Sequence, residues 1–210
     1  MRKLLVATHN KGKVAEFAEM LADLELAWLS LDDVGVTLDV AETGQTFAEN
    51  ALLKARTYAA VTGLLTLADD SGLEVDALGG APGVYTARYG GEELNHAQRY
   101  QLLLHNLGDV PWERRAARFR CVIALASPDG TVLGEAAGVC EGIIALAAAG
   151  DGGFGYDPVF FLPEWGKTMA QVGSTVKHQI SHRGRALRLI EPRLRQVLAL
   201  PLRNGNDGTD

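Results

Sequence analysis

The sequence predicts an α/β fold on three observations. Leu64-Leu65-Thr66-Leu67-Ala68 is an apolar run of strand length without polar alternation, the pattern of a strand buried on both faces as in a parallel sheet. Leu4-Leu5-Val6-Ala7 is a second strand-like run, and Val14, Phe17, Leu21 and Leu24 follow it at helical spacing. Residues 119–125 and 131–133 flank Ser127-Pro128-Asp129-Gly130, a hairpin with its turn residues in place.

Between the first strand and the first helix lies Thr8-His9-Asn10-Lys11-Gly12-Lys13. A hydroxyl, an amide, a glycine and two lysines at a helix start suit a phosphate, because free N–H groups and positive side chains meet there. An ordinary turn with Asn10 as N-cap fits the same residues, and the spacing is not that of a Walker loop. Residues 28–40 mix apolar positions with Asp32, Asp33 and Gly35 and predict a strand with a polar connector. Thr46 with Glu49 three residues on forms a capping box, which starts a helix over 47–62 that Gly63 ends. Glu49 thereby has a structural task, and Glu42 is left outside the helix, free for chemistry. Lys54 either reaches the same mouth or is solvated; Arg88 either clamps phosphate or is exposed.

Farther on, Leu94, Gln98, Gln101, Leu102 and His105 predict a helix closing at Gly108. Arg114, Arg115, Arg118 and Arg120 are read as a solvated face, since they lack the interleaved aromatics of a nucleic-acid stripe. Leu187, Ile190, Leu194 and Val197 predict a last helix, with a kink or break at Pro192. Residues 201–210 are read as a frayed tail, so that one domain spans 1–200.

Three stretches carry the chemistry. Asp69-Asp70-Ser71-Gly72 closes the buried run, and open α/β sheets bind ligands at the carboxyl ends of strands. Two acids side by side there repel unless a cation sits between them or one takes a proton. Gly150-Asp151-Gly152-Gly153-Phe154-Gly155-Tyr156-Asp157-Pro158 lets backbone approach a flat ligand, and Phe154 or Tyr156 offers a ring to stack on a base or to bury in the core. Lys177-His178-Gln179-Ile180-Ser181-His182-Arg183-Gly184 leads into the last helix and reads as donors at a helix start facing a ligand. Adjacent Ser181 and His182 do not make a hydrolase triad, and no nucleophile elbow is present.

The net charge of −6 over 210 residues argues against nonspecific grip on nucleic acid or an anionic membrane. Cys121 and Cys140 both lie in apolar segments, which suits a reducing compartment rather than a disulfide scaffold. The apolar run after Met1-Arg2-Lys3 is shorter than a signal peptide needs, and no stretch approaches the roughly 20 apolar residues of a membrane span. A cytoplasmic location is expected.

Taken together, Thr8-x-Asn10-x-x-Lys13, Glu42-Thr43-Gly44-x-Thr46-Phe47-x-Glu49-Asn50-Ala51, Ala68-Asp69-Asp70-Ser71-Gly72-Leu73, Phe154-Gly155-Tyr156-Asp157-Pro158 and Ile180-Ser181-His182-Arg183-Gly184 resemble the inosine triphosphate pyrophosphatase family. The motifs run in the family's order and cover nearly the whole chain. The resemblance implies a long mixed sheet flanked by helices in two lobes, with a nucleotide in the cleft between them. It implies hydrolysis of ITP, dITP and XTP to the monophosphate and pyrophosphate with Mg²⁺, by a protein that is usually a homodimer. Residues Thr8, His9, Asn10, Lys11, Gly12 and Lys13 would bind the triphosphate, and Lys54 would touch phosphate. Glu42 and Asp70 would hold Mg²⁺ with Asp69 close by, and Asp70 would accept the proton. Ser71, Phe154, Gly155, Tyr156, Asp157, Lys177, His182 and Arg183 would contact substrate.

A carboxylate bound to Mg²⁺ is a poor base, which leaves Asp69 or Glu42 as the alternative acceptor. Donors from Arg183, His182 or loop N–H groups would satisfy the purine 6-oxygen and repel the amino group of adenine. One departure from the family's pattern is that Ser174-Thr175-Val176, rather than acids, precede Lys177. The competing readings are a metal-dependent hydrolase of another nucleoside triphosphate and a nucleotide sensor without turnover.

Overall fold

The computed structural model of the protein describes residues 1–199, and the segment read as a tail, 201–210, lies outside them. Strand β1 (Arg2–Val6) runs parallel to β2 (Leu26–Leu29) on one side and to β3 (Thr66–Val75) on the other. β3 pairs antiparallel with β4 (Ala116–Ala126), and β4 with β5 (Val132–Ile144). Two short strands follow, β6 (Phe160–Leu162) and β7 (Lys167–Thr168). Among the described residues these seven strands form one mixed sheet in the order β2-β1-β3-β4-β5-β6-β7. The α/β expectation holds.

The parallel part of the sheet is short, however. β1 meets β3 only at Thr66 and Leu67, whereas β4 stays paired with β3 from Thr66 to Val75. The acids therefore do not close a strand, as the sequence suggested. They lie in the middle of a ten-residue strand, just past the point where its neighbour β1 leaves. That fork opens the cleft, and it keeps Asp69 and Asp70 at the carboxyl end of β1.

Helices cover both faces. α1 (Lys11–Met20) starts at Asn10, whose side chain accepts from Gly12 N and Lys13 N. α2 (Phe47–Thr62) starts on the expected capping box of Thr46 and Glu49 and stops at the left-handed Gly63. α3 (His96–Leu107) ends at Gly108, again as expected. α4 (Ser174–Ile180) is a separate short helix, so Lys177 is not on the last helix, α5 (His182–Ala199). α5 runs through Pro192 unbroken. Proline removes one backbone bond, while buried Ile190 and Leu194 hold the helix to the sheet on either side.

α2 packs small residues, Ala51, Ala55 and Ala59, against Leu5, Ala68, Val122 and Ala124. On the opposite face α1 and α5 bury Phe17, Ala186, Leu187 and Ile190 against Leu4, Leu67, Cys121 and Ile123. A third core, with Leu73, Leu103, Phe119, Tyr156 and Phe160, fills the far end of the sheet. β3 thus contributes Leu67 and Ala68 to one end and Leu73 to the other. Its polar residues 69–71 sit at the seam.

Two further readings need correction. The segment 28–40 holds only the end of β2, because the Asp33 carboxylate accepts from Ser30 N and Ser30 Oγ and turns the chain there. Nor do the four arginines share a solvated face. Arg115 is buried, donating to the carbonyls of Gly108, Val110 and Ala145, while Arg118 and Arg120 pair with Glu74. Among the described residues no helix is long and apolar enough to cross a membrane.

Gly138 of β5 decides how closely α5 approaches the sheet. A Cβ there would strike the carbonyl oxygen of His182 and lie 2.5 Å from Ala186 N, both backbone atoms. Gly138→Ala should therefore cost about 1–3 kcal/mol by overpacking. Urea denaturation reads this as a lower midpoint at unchanged slope, and an unshifted midpoint would mean that α5 sits farther from the sheet.

Candidate active site

Side chains alternate along a strand, so Asp69 and Asp70 leave β3 on opposite faces. The odd face carries Leu67, Asp69, Ser71 and Leu73 toward α1 and α5. There Lys13 Nζ lies 3.0 Å from Asp69 Oδ1, and Arg183 Nη2 lies 3.1 Å from both Asp69 Oδ2 and Ser71 Oγ. Arg183 Nη1 reaches Glu16 Oε2 at 2.7 Å, and Lys177 Nζ bridges Glu16 Oε1 at 2.8 Å and Asp157 Oδ2 at 2.9 Å. The even face carries Asp70 toward α2. There Asn50 Nδ2 donates to Asp70 Oδ2 at 3.0 Å, and Lys54 Nζ stands 3.5 Å from Asp70 Oδ1 and 2.6 Å from Glu42 Oε1. Arg88 Nη1 holds Glu42 Oε2 at 3.3 Å.

The adjacent acids thus do not share a cation; each face supplies its own. Asp69 is fully buried, yet Lys13 and Arg183 outweigh the cost of burial and hold its carboxyl well below the usual range. Burial works against ionisation of Glu42 as well, and Lys54 more than offsets it, lowering the pKa. Burial raises the Asp70 pKa; Glu42 and Asp69 add to it, and Lys54 and Asn50 oppose it. For Lys54 burial favours the neutral amine, but Asp70 and Glu42 lift the pKa above the ordinary value.

Two cavities meet at this seam. The first, about 140 Å³, is walled by Ser71, Gly72, Phe119, Phe154, Tyr156 and His182. Asn10, Gly155, Asp157, Lys177, Arg183, His96 and Arg99 also border it. The second is walled by Thr8, His9, Glu42, Lys54 and Arg88, with Asp39 and Glu92 at its rim. Lys13 lines both. Asp69 and Asp70 are in neither wall; each lies beneath a lysine that is.

The site residues predicted from sequence therefore sort into three groups. Glu42, Lys54, Thr8 and His9 gather at the second cavity, although His9 is exposed and bonds Asp32 at 2.6 Å. Phe154, Gly155, Tyr156, Asp157, Ser71, His182, Lys177 and Arg183 gather at the first. Lys11 and Gly12 line neither, and the Asn10 side chain occupies the Gly12 N–H at 2.9 Å, so the ordinary cap is what this helix start makes. Of the expected ligand set, Glu42 and Asp70 share one face of the sheet and both lie within reach of Lys54. The pleat turns Asp69 to the other face, and among the described residues no three acid, His or Cys side chains stand together as a metal cluster.

The aromatic and donor readings also change. Tyr156 is a core residue whose hydroxyl donates to Thr86 O at 3.1 Å, whereas the Phe154 ring carries Lys177 Nζ 4.7 Å and Arg183 Cζ 5.5 Å from its centroid. Arg183, expected to point its donors at a ligand, directs them to Glu16, Asp69 and Ser71. His182 behaves otherwise. It is stacked on Phe119 with ring centroids 4.8 Å apart, and its buried Nδ1 has no hydrogen-bond partner among the described residues.

Comparison with known proteins finds relatives over nearly the whole chain. The Ham1 family model matches residues 4–192. The chain belongs to the Ham1 family. It is 49% identical over 198 residues to a dITP/XTP pyrophosphatase of Geobacillus kaustophilus, covering 94% of this chain and 97% of that one. It is 50% identical over 197 residues to a dITP/XTP pyrophosphatase of Salmonella typhimurium, covering 93% and 99%. A HAM1 protein from Coxiella burnetii superposes with a TM-score of 0.83 at 42% identity, over 93% of this chain and all of that one. The Ham1 protein of Staphylococcus aureus gives 0.81 at 39%, with the same coverage.

Within this Ham1 protein, Glu16 and Asn50 are the site residues that sequence reading missed. Glu16 stands three residues after Lys13, and Asn50 four before Lys54, both spacings that put a pair on one helix face. Nothing in either spacing distinguishes a buried partner from a solvated one.

Asp69→Asn should destabilise the protein by about 3–5 kcal/mol, since it leaves the buried Arg183 short of a counter-charge. Chemical denaturation measures it, and a loss under 1 kcal/mol would show that Glu16 alone balances Arg183. His182 gives a pH signature. Burial, with Arg183 and Lys177 adding to it, depresses its pKa well below 6.5. The stability gained by keeping it neutral is full above that unfolded value and lost as pH falls below it. Replacing His182 with Phe should flatten the fall in unfolding free energy between about pH 7 and 5; a slope equal to the wild type's would mean that the ring does not titrate.

Proposed function

We propose that this chain hydrolyses non-canonical purine nucleoside triphosphates (ITP, dITP and XTP) to the nucleoside monophosphate and pyrophosphate. The observation that carries the reading is the pairing of the two cavities. A partly aromatic cavity adjoins one bordered by three cations, and Lys13 faces both. The names of the Ham1 relatives support the same substrate class.

In this reading the base enters the first cavity against Phe154, and the neutral ring of His182 turns a nitrogen to its edge. With its proton on Nδ1, the neutral ring donates to the 6-oxygen of a keto purine and meets the amino group of adenine donor to donor. Arg183 positions rather than reads: it fixes Ser71, Asp69 and the ring of Phe154. The triphosphate lies in the second cavity, facing Lys13, Lys54 and Arg88, with Thr8 at its edge.

Glu42 and Asp70 fit a divalent ion, because their oxygens already converge on one cationic group and Mg²⁺ commonly binds through one or two carboxylates plus phosphate. Mg²⁺ held there would neutralise phosphate charge and polarise the P–O bond. Asp69 contributes no ligand in this scheme; it anchors Lys13. Asp70 takes the proton of the water attacking the α-phosphorus, as the bond to the β-phosphate breaks and pyrophosphate leaves. Mg²⁺ on the same carboxylate would lower the proton affinity that burial raises, so the base role rests on the family resemblance and not on that shift. The whole chain to residue 200 acts as one two-lobed unit, and assembly as a homodimer belongs to the same reading.

A panel of ITP, XTP, dITP, GTP, ATP and pyrimidine triphosphates with Mg²⁺, scored for pyrophosphate release, tests this. ITP, XTP and dITP should outrun ATP by about 10² or more in kcat/KM. Release of orthophosphate, or equal rates across the panel, would sink the assignment. Asp70→Asn should lower kcat by about 10²–10⁴ with little change in KM; near-normal turnover would remove Asp70 from its role.

A further inference from the structure

Glu42 and Asp70 come from different elements, the connector before α2 and the middle of β3, yet one ammonium joins them. Lys54 Nζ lies 2.6 Å from Glu42 Oε1 and 3.5 Å from Asp70 Oδ1. Their outer oxygens are held separately, Glu42 Oε2 by Arg88 Nη1 at 3.3 Å and Asp70 Oδ2 by Asn50 Nδ2 at 3.0 Å. Asp70 Oδ1 also accepts from Ser71 N at 3.1 Å. Lys54 is thus the cation common to both carboxylates, and it stands where their inward oxygens converge.

We propose that Lys54 is an internal counter-ion of the cation site. It holds Glu42 and Asp70 together until a divalent ion takes its place, and its ammonium then turns to the phosphates in the adjoining cavity. This rests on the reading of Glu42 and Asp70 as ligands and extends it, making cation entry and phosphate binding a single exchange. The charges call for such a device. Two facing carboxylates without a cation repel each other, and a lysine between them removes that cost.

The exchange also fits the backbone. α2 is fixed by its capping box and by buried Ala51, Ala55 and Tyr58, so the helix stays while the flexible four-carbon stem swings. Lys54, Lys13 and Arg88 line one cavity, so the released ammonium remains beside the other cations. An entering divalent ion must evict a positive charge. Lys54 therefore weakens binding of the bare ion and makes it depend on a polyanion that accepts the ammonium.

Lys54→Met keeps the stem and removes the charge. Calorimetric titration with Mg²⁺ alone, and thermal denaturation in EDTA and in Mg²⁺, read the effect without turnover. The Met variant should bind Mg²⁺ about tenfold more tightly than wild type or better, melt lower in EDTA, and gain more from Mg²⁺. Lys54→Arg, which keeps the charge, should retain weak binding. Should the Met variant unfold in EDTA, refolding on addition of Mg²⁺ supports the exchange and failure to refold counts against it. Measurable but equal affinities in wild type and the Met variant would overturn the counter-ion role and leave the ligands standing. Asp70→Asn separates the two readings: if it binds Mg²⁺ as well as wild type does, the ligand assignment falls and this inference with it.

Discussion

The structure depends on a geometric constraint in β3. A pleated strand sends neighbouring side chains to opposite faces, so Asp69-Asp70 is not a pair but two separate anchors. One organises the face of α1 and α5, the other the face of α2. Each draws its own lysine, and those lysines, not the acids, line the walls of the cavities. The fork where β1 leaves β3 is what makes both faces reachable from one cleft. Had β1 stayed paired beyond Leu67, the strand carrying the acids would be covered along its open edge.

The two faces differ in kind. On the α5 side, Asp69, Arg183, Glu16, Lys177 and Asp157 form a connected ionic network around buried charges. Removing one member leaves its partner charged and dry, so the network is rigid by necessity. On the α2 side, Glu42 and Arg88 are more open, and Lys54 is a flexible stem between two acids. The rigid face adjoins the aromatic cavity, and the looser face adjoins the polar one.

Much of this was legible in the sequence, for local reasons. The capping box at Thr46 and Glu49, Gly63, Gly108 and the hairpin turn are signals carried by a few adjacent residues, and all were read correctly. Glu42, Phe154 and His182 from the five motifs border the two cavities, together with Lys54 and Lys177 from outside them. What could not be read was direction. Asp69 and Asp70 were expected at a strand end because the apolar run stops there, but antiparallel pairing with β4 carries the strand on to Val75. Arg115 looks like its exposed neighbours in sequence, and only tertiary carbonyls make it a core residue. Glu16 and Asn50 are likewise ordinary helix residues until the fold supplies Arg183 and Asp70.

Arg183 shows why direction matters for mechanism. From sequence, a guanidinium at a helix start beside a glycine-rich loop looks like a hand held out to a base. In the fold it is among the most buried side chains and faces Asp69, Glu16 and Ser71. Its planar, always-charged head is suited to that task, since burial cannot discharge it. The residue beside it, His182, has the opposite character: burial favours its neutral ring, and its Nδ1 lacks a partner among the described residues. In the proposed reading, the permanent charge locked in a network serves as scaffold and the uncharged ring serves recognition. Gly138 lets α5 approach closely enough to set both at the seam, so the helix start serves the cleft through its position against the sheet.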